Sequence, residues 1–427
     1  MRRVIERICV IISCAVLLTM LGGCMNHKKS AVILDERMEI AWETEKEITF
    51  FGFRTEAWRL VAIENALHGF MDENPNVTAT YEGIKEPDYW DILEKRSNAG
   101  VLDDVIMTDH DHVLKLAAEG QLADLSDLEA TEQLNDLVKG QFADAQGAIY
   151  FIPTCISAYG LYVNYDLLEK HHQKVPQNLD ELTQVCDYFV KQGITPIVAN
   201  NDHSLRSLIA AKGLYPVYEQ ENPLAEIERF NTGESDLAEY LRPGIEMAAD
   251  MIARGWIDPQ EALNAEPVSD DLEIFAEGGR PFLIAGGWGS GKLAMLNPDF
   301  SYGVHPFPIL EDDCILVIDL NTCISVNAGS DNLEEAKKFV EYIMQPEVVS
   351  EYCDSQSSYT PLQNNTPPSD RALAPSVEYM QNGGNIMIGS DHNLKLLLDE
   401  ALQECSTQLL ERMSADQAVD LLDGRFN

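Results

Sequence analysis

The segment "AGGWGSGK", Ala285–Lys292, holds the spacing that most suggests chemistry. Gly286, Gly291 and Lys292 fit G-x-x-x-x-G-K, the opening of a loop whose backbone N–H groups cradle phosphates. The next position is Leu293, where a Ser or Thr hydroxyl is needed to hold magnesium. Trp288 also stands in the middle of the loop. Nucleotide binding therefore lacks a necessary part, and the glycines admit another use: letting backbone approach closely.

Two other clusters invite a metal reading. One is "DHD", Asp109–Asp111, and the other is His171–His172. Neither has the i, i+4 ligand spacing of a helical H-E-x-x-H site, so no metal is expected. No Ser nucleophile elbow or zinc motif occurs, and no cofactor is expected. Paired carboxylates for glycoside hydrolysis cannot be picked out among 71 acidic residues.

Alternating strands and helices must position these residues. "EITFFGF" (47–53) reads as a buried strand. A helix follows from about Thr55, with Leu60, Ile63, Leu67 and Phe70 on one face. It ends at Asn74–Pro75, and Val77, Ala79 and Tyr81 mark one side of the next strand. A helix around Trp90–Ser97, the strand "DVIMTD" (104–109) and a helix stopped near Gly120 come next. From Ala148 a strand, a Pro-marked bend and a second strand follow. The helix over 178–192 buries Leu179, Leu182, Val185 and Phe189, and Asn178 with Glu181 is spaced as a capping box. Asp331 and Glu334 repeat that spacing before a helix through Met344. "YGVHPFPI" (302–309) reads as a strand crossing between lobes, and the chain past "SSYTPL" as mostly helical. This alternation predicts mixed sheets flanked by helices, with ligands beyond the carboxyl ends of the strands.

The beginning of the chain gives an address. Arg2, Arg3 and Arg7 precede a mostly apolar run over 8–21, too short for a comfortable membrane span and suited to a signal peptide. "LGGC" resembles a bacterial lipobox, which implies cleavage before Cys24 and lipidation of its thiol. Loss of the leader takes basic residues from 30 to 27 and acidic from 71 to 70, a net charge of about −43. Such a chain repels nucleic acid, so none is expected as a partner. Export permits disulfides. Six dispersed cysteines remain (155, 186, 314, 323, 353 and 405), with their pairing open among fifteen possibilities and apolar neighbours favouring plain buried thiols.

Six segments in order resemble the extracellular solute-binding proteins of ABC importers, carbohydrate type: "FMDENPNVTATYE", "DDVIMTDHDHVLKLAAEGQLADLSDL", "GAIYFIPTCISAYGLYVNYDLLEKHHQKVPQNLDEL", "FAEGGRPFLIAGGWGSG", "YGVHPFPI" and "ISVNAGSDNLEEAKKFVEYIMQPEVVSEYCDSQSSYTPL". One departure is "NLDEL" at 178–182, where relatives often have "TWDEL". The resemblance implies an α/β, two-lobed, periplasmic-binding-protein-like fold, each lobe a mixed sheet flanked by helices, with a multi-strand hinge. It implies a signal peptide over 1–23 and a lipid-anchored tether over 24–46. It assigns 47–152 with 306–355 to an N-terminal lobe, and 153–305 with 356–427 to a C-terminal lobe. It further implies a monomer without enzyme activity that traps a carbohydrate and delivers it to membrane permease subunits. An exported glycoside-acting enzyme and a sensory lipoprotein are the alternatives.

Sugar recognition needs flat aromatic faces and fixed polar groups. Trp288 is the leading candidate, since in the family "G-x-W" often sets its tryptophan against the ligand; the alternative is a packing anchor. Asp109 ends a strand and could equally cap the following helix. Tyr159 follows the hinge bend. Arg54, Glu56 and Trp58 occupy the first strand–helix turn. Asn200, Asn201 and Asp202 end the strand "GITPIV", and Tyr359 precedes Pro361. Trp90 and Asp319 complete the set.

Overall fold

Leu60, Ile63, Leu67 and Phe70 are all buried, and the helix that carries them, α1, runs Ala57–Glu73 in the computed structural model. The structure describes residues 31–35 and 46–426, apart from 87, 143–146, 268, 321, 365 and 390. The leader and Cys24 lie outside the described residues. Among those described, no helix is long and apolar enough to cross a membrane.

The first sheet is built from β1 (Ala31–Asp35), β2 (Lys46–Gly52), β3 (Val77–Ile84), β4 (Val105–Thr108), β5 (Ile152–Pro153) and β11 (Cys323–Val326). Its order is β1-β3-β2-β4-β11-β5. β2 pairs in parallel with β3 and β4, while β1 and β11 run antiparallel to their neighbours. The span expected as tether thus includes a paired strand, β1. Thr78 and Thr80 of β3 are buried along with Val77, Ala79 and Tyr81, because helices cover both faces of the sheet. α1, α2 (Asp88–Ala99) and α3 (His110–Ala118) accompany these strands. α3 ends where Gly120 takes the left-handed conformation, φ 69°.

The second sheet contains β6 (Ser157–Asn164), β7 (Ile197–Val198), β8 (Phe282–Gly286), β10 (Leu316–Asp319) and β12 (Ile386–Ile388), in the order β12-β10-β6-β8-β7, with β9 (Tyr302–His305) paired to β6. Its helices include α4 (Leu179–Lys191), α5 (His203–Tyr218), α6 (Leu237–Ala253), α7 (Ser290–Leu296), α10 (Leu398–Leu410) and α11 (Ala415–Phe426). α8 (Leu333–Ile343) and α9 (Pro346–Ser355) return to the first sheet, where Phe339, Val340 and Val349 join its core. α5 and α6 pack closely at Gly244, where a Cβ would lie 2.3 Å from the Ile209 carbonyl oxygen.

Capping follows sequence in one case and departs in another. Asn178 Oδ1 accepts from the Glu181 amide at 2.9 Å, while Glu181 reaches back to the Gln177 amide rather than that of Asn178. The helix predicted from Asp331 begins instead at Leu333, and its N-cap, Asn332, makes no side-chain cap bond.

The chain passes between sheets after Pro153, after Asp319 and after Ser355, where Tyr359 bridges Ile156. "YGVHPFPI" does not cross. β9 stays antiparallel to β6, admitted by Gly160, whose Cβ would sit 2.3 Å from His305 O, and Phe307 then pairs with Ile315. Residues 306–319, expected with the first lobe, therefore lie with the second sheet. All six described cysteines are buried and unpaired.

Candidate functional site

The loop after β2 and the start of α1 form one wall of a cleft between the sheets. Tyr81 hydroxyl lies 3.0 Å from both the amide and the carbonyl of Arg54 and pins the turn. Arg54 points inward: it is 9% exposed, and its Nη2 donates to Thr322 Oγ1 at 2.7 Å. Glu56 is half-buried, 3.8 Å from Arg59 Nη1. Burial opposes its ionisation, but Arg59 and Arg54 overcome this and hold its carboxyl below the usual range. Trp58 is half-buried beside them.

A polar relay extends this wall. Asp109 caps α3: its Oδ1 accepts from the His112 amide (2.8 Å) and from His112 Nδ1 (2.7 Å). Burial pushes Asp109 up, and the two His112 contacts bring it below the ordinary value. His112 stacks on Trp90 with centroids 4.3 Å apart, and Trp90 Nε1 donates to Glu86 Oε1 at 3.0 Å. Solvent reaches Glu86, yet protein atoms crowd it, as in the wall of a cleft. Loss of hydration raises its carboxyl, against the pull of Arg54.

The opposite wall comes from the second sheet. Trp288 sits in a short 3₁₀ turn, Gly287–Gly289, half-buried, edge-on to His203 at 5.1 Å and 78°. The glycines around it have packing roles. A Cβ on Gly286 would meet the Trp288 ring at 2.2 Å, on Gly287 would meet Leu373 at 2.7 Å, and on Gly291 would approach Trp58 Nε1 at 3.3 Å. Lys292 is paired with Glu273 at 3.1 Å. The phosphate-loop spacing thus seats an indole and admits Trp58 from the facing wall.

His203 opens α5, and Asp202 beside it lies 3.5 Å from Arg206 Nη2. Burial works against the Asp202 carboxylate, but Arg206 and then His203 hold it well below the usual range. Tyr159, His203, Arg206, Asp319 and Asp399 line a recess of about 10 Å³ at the base of this wall, the scale of a single water. The walls touch where Arg59 Nη2 donates to Trp288 O (3.4 Å) and where Lys85 pairs with Glu266.

The structure brings Trp288, Trp58, Glu56, Asp109, Asp202 and Trp90 to the two walls, with Tyr159 and Asp319 buried in the recess beneath. Three expected contacts turn inward. Arg54 reaches the strand crossing. Asn200 is fully buried, donating from Nδ2 to Asp271 Oδ2 (2.7 Å) and accepting the Asp202 amide (3.1 Å), so it braces the strand end. Tyr359 is 2% exposed, its hydroxyl enclosed at the crossing. Asn201 is half-buried, its amide 3.5 Å from Leu263 O. Arg59, His203, Arg206 and Glu86 were not anticipated. Arg59 and His203 stand next to the expected Trp58 and Asp202, while Glu86 and Arg206 are four positions from Trp90 and Asp202. Among the described residues no cluster of three or more His, Cys, Asp or Glu is arranged to hold a metal.

Comparisons agree with this architecture. Over 326 residues the chain is 21% identical to a multiple sugar-binding protein of Streptococcus mutans, covering 74% of this chain and 75% of that one. It is 21% identical over 379 residues to a melibiose/raffinose/stachyose-binding protein of Bacillus subtilis, covering 86% and 84%. A sugar transporter of Bacillus licheniformis, solved in complex with stachyose, superposes with a TM-score of 0.65 at 21% identity, over 88% of this chain and 98% of that one. Residues 65–374 match the family model of the bacterial extracellular solute-binding proteins, and the chain belongs to that family.

Proposed function

We propose that this chain is the solute-binding subunit of an ABC importer and traps a sugar or oligosaccharide between its two lobes. The observation that carries the reading is the cleft: Trp58 and Trp90 on one wall, Trp288 on the other, among carboxylates and guanidinium groups already oriented by protein partners. Indole faces suit the C–H faces of pyranose rings, and the polar groups suit hydroxyls. The sugar-binding relatives support it. The crossings at 153–157, 319–323 and 355–359 would act as the hinge, with closure burying the ligand before delivery to a membrane permease. Cys24 would carry the lipid that holds the exported chain at the outer face of the membrane. Fatty-acid labelling should mark the wild type and spare Cys24→Ala; equal labelling removes the anchor.

The test of binding is a thermal-shift screen of the mature chain over mono- and oligosaccharides, with recovery of the sugar afterwards. At least one sugar should raise the melting temperature and be recovered intact. Hydrolysis during incubation would indicate an enzyme, and no shift with any sugar would remove the carbohydrate reading.

A further inference from the structure

Arg59 is 3% exposed where the two walls of the cleft meet. Its guanidinium carbon lies 5.9 Å from the Trp58 ring centroid and 5.5 Å from that of Trp288. A guanidinium carries five N–H donors. Around Arg59 they find little: Trp288 O at 3.4 Å from Nη2, the Glu56 carboxylate at 3.8 Å from Nη1, and for Nε no partner at all although it is buried. Buried charges are ordinarily paired and hydrogen-bonded. Burial, and then the charge of Arg54, lower the Arg59 pKa to about 10.

The cleft carboxylates are in the opposite condition. Glu86 accepts from Trp90, Asp109 from His112, and Asp202 faces Arg206. The site is therefore short of acceptors at Arg59 rather than of donors at its acids. A fork of N–H groups matches two adjacent oxygens.

We propose that Arg59 is a ligand-binding residue that takes a pair of acceptor oxygens from the sugar unit packed at Trp288. Vicinal hydroxyls of a neutral sugar and the carboxylate of a uronic acid both present that pair. The inference rests on the carbohydrate reading above and adds the residue that selects among sugars. Helix α1 supplies it one position after Trp58, and both side chains reach the Trp288 loop, Arg59 at Trp288 O and Trp58 beside Gly291.

The experiment compares wild type, Arg59→Gln and Arg59→Lys by calorimetric titration with raffinose, stachyose and digalacturonate, alongside melting of each ligand-free protein. Arg59→Gln should weaken binding of the preferred sugar by roughly 30-fold, with Arg59→Lys intermediate. Its ligand-free melting temperature should stay close to that of wild type, since the Trp288 contact is long, Glu56 lies beyond hydrogen-bond distance, and Arg54 remains near Glu56. A wild-type preference for digalacturonate assigns the carboxylate, and a preference for the neutral sugars assigns the hydroxyls. Undiminished affinity in Arg59→Gln overturns the role while leaving sugar binding intact. A marked fall in ligand-free melting temperature also overturns it, by making Arg59 a structural strut. Failure of the wild type to bind any of the three, or any sugar of the thermal-shift screen, removes the carbohydrate reading, and this role with it.

Discussion

Asp111→Ala is expected to destabilise the folded chain by about 3–5 kcal/mol, the cost of leaving a buried charge without its partner. Asp111 is 1% exposed at the start of α3, and it ties the first sheet to the second. One oxygen meets His110 Nδ1 at 2.7 Å; the other accepts the Glu400 amide at 3.0 Å. Glu400 is in the first turn of α10, whose own N-cap, Leu397, has no side chain able to cap it. Asp111 therefore caps a helix of the other lobe. His110 Nε2 faces the Leu394 carbonyl at 2.8 Å. Both ring nitrogens thus face acceptors, and only the doubly protonated imidazolium donates to both. Burial pulls the His110 pKa down, but the Asp111 hydrogen bond and charge overcome this and place it at about 9. Asp399 adds to the pull. The neighbouring His392, 5.3 Å away, is driven well below its ordinary value by burial and then by the His110 charge, so it stays neutral.

The sign of the pH dependence follows. A histidine whose folded pKa lies above its unfolded value of about 6.5 stabilises fully below that value, and the contribution fades as pH rises through about 9. Urea unfolding of the wild type should lose stability across that window. Asp111→Ala should be weaker at pH 6 and lack this alkaline decline. A variant as stable as wild type at pH 6 would show that the pair does not hold the lobes together.

Trp288→Ala should reduce affinity for the best sugar by roughly 30- to 100-fold, the scale of a central aromatic hot spot. The ring is half-buried, buttressed edge-on by His203 and approached by Arg59 from the facing wall. Its removal takes away the flat surface and the positive group's aromatic neighbour together. The fold should tolerate the change better than a core substitution, because part of the ring already contacts solvent. Calorimetric titration of wild type, Trp288→Ala and Trp288→Phe tests this, with Phe retaining most of the affinity. Unchanged binding in Trp288→Ala would place the ligand elsewhere in the cleft.

Much of this site was legible because strand ends and loop glycines announce themselves locally. Gly286 and Gly291 flank Trp288 and drew notice, although the phosphate-loop spacing suggested the wrong ligand. Asn200 misled for a physical reason: an Asx side chain at a strand end looks the same whether it meets a ligand or braces its own turn. Arg59 is hidden in the sequence because an arginine inside an amphipathic helix is ordinarily solvated, and here tertiary contacts, Trp288 among them, bury it. The cluster at 109–112 could not be divided by spacing. A helix start sends Asp109 and His112 toward the cleft, and His110 and Asp111 toward the other lobe. β12 is only three residues long, below what alternation can signal.

The interleaved path between the sheets also sets an order in time. β11 fills the gap between β4 and β5, so the first sheet stays interrupted until residues near its C-terminal third have emerged. Thr108 and Ser325, whose hydroxyls lie 2.9 Å apart in neighbouring strands, are 217 positions apart in the chain. Contacts this distant close slowly, because a long loop must be ordered before they form. The second sheet waits likewise for β10 and β12. In a chain of this design the amino-terminal strands β1 to β4 can pair early, but neither sheet is complete until residues 316–388 have been made.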